Sequence, residues 1–352
     1  MMSDQLGKIN FQGYQDLLAG RFGASRKEVK QGAAFGVDVA ITTLPGGLAM
    51  ATTSDPLSLI PSLGLQESAW LSVHLMANDM ATTGFAPQYG QFVLNLPDTL
   101  SKDDFSTYWS FIDQYCKEIG VAITGGHTGF VQGQNSTFAG GGTLITVAKE
   151  SEVLCSTGAQ EGDVILVTKS CALTATAILG MSFPETIKQK LGVEIYLSAC
   201  EQFYQTSSLQ DALCASGTDE KFREVHAMHD VTEGGVLGAI YEMLVASDKG
   251  GIIEYDQIPV GDTACSIAGL FGLEPRYCVG AGSMAIACDP THSDKVIQRL
   301  AHKNILCTAV GRVSEKHSGI MISKAESTSP LVYQETDPYW AAYFNAIKSG
   351  WK

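Results

Sequence analysis

The chain has 352 residues, more than one hydrophobic core usually serves, so two domains are expected. Hydrophobic residues make up 45% and charged residues 17%, and no apolar run approaches the eighteen or so residues of a membrane span. A formal net charge of -14 with no compensating basic stripe argues against nucleic acid as a partner, and the composition argues against a membrane.

The N-terminus, Met1 to Lys8, lacks the basic and apolar regions of a secretory signal, so a cytoplasmic location is expected. Nine cysteines, odd in number and without a C-x-x-C pair, fit neither a disulfide scaffold nor a zinc ribbon. They read as small core hydrophobes.

The segment up to about Lys30 reads as a helix and an irregular arm, with Arg21, Arg26, Lys27 and Lys30 as a mildly basic, solvated face. Val37 to Ile41 and Leu48 to Thr53 alternate like strands around a Pro45-Gly46-Gly47 turn, and Pro56 keeps Asp55 extended. Trp70, Val73, Ala77 and Met80 recur at helical spacing, which predicts a helix over 66–83 with Asn78 and Asp79 in its last turns. A strand over 89–96, a helix from about Ser101, a buried strand over 121–124 ending in Gly125-Gly126-His127-Thr128-Gly129, and a strand over 143–148 complete the first half.

The polar stretch 157–163 marks a boundary between domains at 1–158 and 159–352. Beyond it come a strand over 164–167, a helix over 173–179 and a longer helical region from about 193 to 215. Val236, Leu237, Ile240, Met243 and Leu244 give one apolar face to a helix that follows Asp230-Val231-Thr232-Glu233-Gly234-Gly235. Strands over 251–254, 283–287 and 308–313 make the chain α/β.

Asp38, Asp55, Asp79 and Asp230 are remote in sequence, yet each ends an apolar element or adjoins small turn-forming residues. One such aspartate is ordinarily a cap or turn residue. Four in separate motifs point to a shared divalent-cation site, since only a cation holds that many carboxylates together without protonating some of them. Gly125-Gly126 after a buried strand and Gly234-Gly235 at a helix start let backbone N–H groups approach an anion. Together these features describe a site for phosphates held by metal and backbone.

The ordered blocks Gly36-Val37-Asp38-Val39-Ala40, Thr53-Ser54-Asp55-Pro56, Asn78-Asp79-Met80-Ala81-Thr82-Thr83-Gly84-Phe85-Ala86-Pro87, Gly125-Gly126-His127-Thr128 and His229-Asp230-Val231-Thr232-Glu233-Gly234-Gly235 resemble the aminoimidazole ribonucleotide (AIR) synthetase superfamily. That group includes selenophosphate synthetase, thiamine-monophosphate kinase and the hydrogenase-maturation carbamoyl dehydratase, and the resemblance is nearest to uncharacterised AIR-synthase-related proteins. It covers about residues 20 to 320.

The resemblance implies an AIR-synthase-like two-domain fold whose N-terminal domain forms a β-barrel with that of a second subunit, flanked by a C-terminal α/β domain. It implies a homodimer binding ATP and Mg2+ near the subunit interface. Asp38, Asp55, Asp79 and Asp230 would hold magnesium, and Thr53, Asn78, Gly125, Gly126, Thr128, Thr232 and Gly234 would line the nucleotide site. Asp38, His127 and Lys169 would act in catalysis. The implied reaction is phosphoryl transfer to a small amide-, phosphate- or chalcogenide-type acceptor, with dehydration or cyclisation as a further step. The alternative is a nucleotide-binding accessory or maturation protein without turnover, and either role accommodates a protein partner.

The sequence departs from the relatives at several points. It ends in Lys348-Ser349-Gly350-Trp351-Lys352 with Cys307 as its last cysteine, against a terminal carbamoyl-carrying thiol. Its first cysteine is Cys116, against the N-terminal nucleophile of selenophosphate synthetases. His127 stands where thiamine-monophosphate kinases carry Asp. Gly280 to Ala285 fits G-x-G-x-x-A, but the following residues read as strand, which opposes a dinucleotide site. No G-x-x-x-x-G-K-[ST] is present. His226 and His229 read as a hydrogen-bonded loop pair rather than a transition-metal site.

Overall fold

A computed structural model describes residues 7–9, 11–217, 224–325 and 327–352. The first half is built on a six-stranded sheet, β1 (Val29–Gln31), β2 (Ala40–Leu44), β3 (Leu48–Ser58), β4 (Tyr89–Pro97), β5 (Ala122–Val131) and β6 (Phe138–Lys149), in the order β1-β2-β3-β6-β4-β5. The short helix α1 (Phe11–Leu17) precedes it, and α2 (Leu65–Ala81) and α3 (Lys102–Glu118) pack on one face. In β4 every second residue is buried, so Phe92, Leu94 and Leu96 meet the helices while Tyr89 and Val93 face outward. Met76, Ala77 and Met80 of α2 are fully buried against this sheet. A large side chain buried in this way stabilises by about 1.5–3 kcal/mol.

Ser101 starts α3 as its sequence suggests, its hydroxyl accepting from Asp104 N–H at 3.0 Å. The sheet is open in the single chain, with β1 and β5 as its edges, and its helix-free face carries exposed Leu48, Tyr89 and Val93.

The second half holds a seven-stranded sheet, β7 (Val164–Thr168), β8 (Val225–Asp230), β9 (Gly250–Glu254), β10 (Met284–Cys288), β11 (Cys307–Ser314), β12 (Ile320–Lys324) and β13 (Ser327–Pro330). Its order is β13-β12-β9-β11-β7-β10-β8. Every residue of β7 and β10 is buried, as expected for central strands covered on both faces. The helices are α4 (Leu173–Ser182), α5 (Pro184–Leu191), α6 (Val193–Gln202), α7 (Leu209–Ser216), α8 (Gly235–Ala246), α9 (Asp262–Phe271), α10 (Ser293–Ala301) and α11 (Pro338–Lys348). Among the described residues no helix is long and apolar enough to cross a membrane.

Four expectations change. The strand expected over 37–41 begins only at Ala40, leaving Asp38 in a loop. The strand expected to end at Ile123-Thr124 continues through Val131, so Gly125 to Thr128 are strand residues rather than a terminal loop. The long helical region over 193–215 is broken into α6, a 3-10 turn over 203–206 and α7. His226 and His229 lie on β8, where a spacing of three puts them on opposite faces. They therefore cannot share a metal, and His226 instead sits 2.8 Å from Asp163. The strand after Gly280 to Ser283 is β10, in line with the reading against a dinucleotide turn.

Candidate active site

The four aspartates converge where the two halves meet. Thr53 and Asp55, two apart on β3, share one face of the sheet. Thr53 Oγ1 donates to Asp79 Oδ2 at 2.9 Å, tying β3 to the C-terminal end of α2. Opposite Asp55 and Pro56 lie Gly142 and Gly141 of β6, so no side chain crowds the carboxylate from that strand. Asp230 ends β8 and brings in the second sheet.

Asp38 depends on a glycine. Gly36 has φ +74, and a Cβ there would lie 2.4 Å from the Glu242 carbonyl oxygen of α8. Only a glycine lets the 36–38 loop rest on that helix and deliver Asp38 to the end of β8. There His229 Nδ1 lies 2.9 Å from Asp38 Oδ2 and 3.8 Å from Asp230 Oδ1, and His229 Nε2 lies 3.4 Å from Glu242 Oε2. These are close charge contacts; neither ring nitrogen is aligned for a hydrogen bond. Ligand atoms of Asp38, His229 and Asp230 all lie within 4.8 Å of one another.

The electrostatics are those of carboxylates crowded together. Burial raises Asp38 to about 6 despite the opposing pull of His229. Burial and then the Asp230 charge raise Asp55 to about 7. Burial, followed by Asp230, Asp55 and Asp38, pushes Asp79 well above the usual carboxylate range. Burial works against a charged His229, but Asp38, Asp230 and Glu242 outweigh it and hold the imidazolium well above its ordinary value. Asp38 Oδ2 and Asp230 Oδ2 are buried with no hydrogen-bond partner. Asp38 Oδ2 has only the His229 charge beside it, and crowded, mutually repelling carboxylates of this kind fit a divalent cation, which takes hard oxygen ligands.

The other candidates are placed differently. Gly125, Gly126, His127 and Thr128 lie on β5, three strands from β3. At about 4.8 Å per strand they are roughly 14 Å from Asp55 within one chain. Gly126 has φ +146, and a Cβ there would lie 1.8 Å from the Phe92 carbonyl oxygen. These residues, with Phe92, Trp109, Ile123 and Thr124, line an open cleft of about 440 Å³.

Asn78 is fully buried, with its amide donating to Thr206 O at 3.0 Å and accepting from Ser208 N at 2.7 Å. Lys169 donates to the carbonyls of Gln205, Ser207 and Gly282 at 3.1, 2.7 and 2.9 Å and pairs with Asp211 at 3.0 Å. Both side chains thus brace the 205–211 segment. The Gly234 N–H donates to Asp337 Oδ2 at 2.9 Å, so a carboxylate of the chain itself already sits at the start of α8. Thr232 O accepts from Gly235 N and Gly280 N in the turn before that helix.

Sequence reading missed Glu242, Lys8, Tyr333 and Asp337. For Glu242 a signal existed: Gly235, Gly238, Ala239 and Ala246 share its helix face at spacings of three and four, a small-residue face with one acid.

Two family descriptions match the chain: "AIR synthase related protein, N-terminal domain" over residues 36–148 and "AIR synthase related protein, C-terminal domain" over residues 160–324. A putative hydrogenase expression/formation protein of Methanocaldococcus jannaschii is 25% identical over 258 residues, 72% of each chain. A selenide, water dikinase of Methanococcus maripaludis is 28% identical over 300 residues, 80% of this chain and 85% of the relative. The crystal structure of the hydrogenase maturation protein HypE in complex with ATP has a TM-score of 0.68 at 19% identity, covering 86% of this chain and 89% of that one, a likeness of fold. The chain, matched in both halves, belongs to the AIR synthase-related family, whose members include ATP-dependent phosphotransferases.

Proposed function

We propose that this protein transfers a phosphoryl group from Mg-ATP to a small acceptor of amide, phosphate or chalcogenide type. The observation that carries this reading is the convergence of Asp38, Asp55, Asp79 and Asp230, with two buried oxygens among them that accept no hydrogen bond. A bound divalent cation supplies neutralisation of the triphosphate charge. The chain's own residues do the rest. Asp38, Asp55, Asp79 and Asp230 fix where the phosphates lie, Thr53 fixes Asp79, and His229 fixes Asp38. Phosphoryl transfer needs in-line positioning and charge stabilisation more than covalent chemistry, and a rigid carboxylate frame provides positioning.

The glycine-rich strand β5 completes this reading through a homodimer. Its residues are too far from the aspartates of their own chain, and the sheet that carries them has an unpaired edge and a bare apolar face. A second copy closing the sheet into a barrel would set Gly125, Gly126, His127 and Thr128 beside the aspartates of its neighbour. The selenide, water dikinase relative and the ATP-bound neighbour support the same donor.

The test is phosphate release from Mg-ATP across a panel of small acceptors, with Asp55→Asn and Asp79→Asn alongside. Turnover that collapses in both variants is expected. Undiminished turnover in both rejects the cation site, and nucleotide binding without phosphate release under any acceptor replaces the enzyme with an accessory protein.

A further inference from the structure

The mouth of the carboxylate cluster is crossed by two segments outside the family-matched regions 36–148 and 160–324. From the N-terminal side, Lys8 Nζ donates to Glu242 Oε2 at 2.9 Å and its backbone N–H to Glu233 Oε2 at 2.9 Å. Gly7, with φ +87, is wedged where a Cβ would lie 2.2 Å from Glu233 Oε2 and 2.6 Å from the Trp340 ring nitrogen. From the C-terminal side, Tyr333 donates to Glu242 Oε1 at 2.7 Å and stacks on Tyr241 at 4.8 Å. Asp337 accepts from Gly234 N at 2.9 Å. Between arm and tail only about 10 Å³ of open space remains, room for about one water.

Glu242 joins these segments to the site, because its Oε2 also faces His229, which contacts Asp38. The half-exposed Lys8 ammonium is held charged by Glu242, then by Asp38 and Asp230. Its ammonium therefore answers part of the negative charge that a divalent cation would otherwise answer.

We propose that the N-terminal arm and the C-terminal tail form a latch over the carboxylate cluster, with Lys8 on Glu242 as an internal cation that must be released for a divalent cation to load. This rests on the cation site proposed above. The latch makes the empty enzyme resist stray metal, and loading opens the route past Tyr333 and Asp337.

The test is Mn2+ binding to the full-length chain without nucleotide, followed by calorimetry, for the wild type, Lys8→Met, Gly7→Val and the remote control Lys117→Met. Removing the ammonium should tighten Mn2+ by about fivefold, the upper scale of one partly exposed ion pair. Gly7→Val leaves the charge in place but cannot hold φ +87 without strain, so it should lift the arm and tighten Mn2+ in the same direction. Lys117→Met, which loses only the exposed Asp113 pair, should not change binding. Unchanged or weaker affinity in either Lys8→Met or Gly7→Val overturns the latch. Absence of Mn2+ binding in all four proteins removes the cation site itself, a result distinct from equal binding in all four.

Discussion

Asp55→Asn should make the metal-free protein more stable while removing its response to metal. In the folded chain burial and Asp230 raise Asp55 from 3.8 to about 7. A raised carboxyl holds its proton longer in the folded state than in the unfolded one. The folded state is therefore penalised as pH rises from 3.8, and fully so above about 7. At about 1.36 kcal/mol per tenfold change, that gap sets a ceiling of about 4 kcal/mol. Solvent near a partly exposed carboxylate and its coupling to Asp230 cut the expected gain to about 1–2 kcal/mol. For a domain of this size that is an increase of roughly 2–6 °C in Tm. The assay is thermal unfolding in EDTA at pH 8, with and without Mg2+ and a non-hydrolysable ATP analogue. The wild type should melt lower and gain strongly on loading; the variant should melt higher and gain little. The variant's advantage should shrink as pH is lowered from 8 towards 4. A variant that melts lower than the wild type in EDTA at pH 8 would refute the claim that these carboxylates repel one another in a common site.

Two further predictions separate bracing from chemistry. Lys169→Met leaves Asp211 buried without its partner, so it should cost about 3–5 kcal/mol of stability. Mg-nucleotide binding by the protein that remains folded at low temperature should be retained. A variant with unchanged Tm and abolished turnover would instead restore Lys169 to the reaction. His226 is raised above 6.5, first by its hydrogen bond to Asp163. Its stabilisation is complete below 6.5 and is lost as pH rises through the raised value, so Tm should fall over that interval in the wild type and fall less steeply in His226→Gln. Parallel pH profiles would count against the pair.

What the sequence disclosed follows from how local each signal is. The helix carrying Asp79 was legible because Trp70, Val73, Ala77 and Met80 repeat at the helical period, and α2 was found where expected. The aspartates were legible because each sits in its own short block of small residues, and those blocks do converge. Gly125 to Thr128 were legible as a motif but not as a position. Glycines in a strand and glycines in a loop look alike in one dimension, and only the pairing of β5 with β4 reveals the strand. Asn78 and Lys169 carried the right chemistry for ligands, yet both are fully engaged by backbone of the 205–211 region, a demand that no periodicity encodes.

The most distant contacts were the least legible. Lys8 meets Glu242 across 234 residues, and Asp337 caps the start of α8 from 103 residues away. Neither segment shows a pattern that announces its partner. Glu242 is the instructive case: an acid on an otherwise small-residue face of a buried helix stays ionised, held down to about 2 against burial by His229 and Lys8. An acid kept charged there needs cations delivered to it. Two of the chain's answers are His229, which also meets Asp38, and Lys8 of the N-terminal segment, so one buried carboxylate gathers cations from two remote parts of the chain.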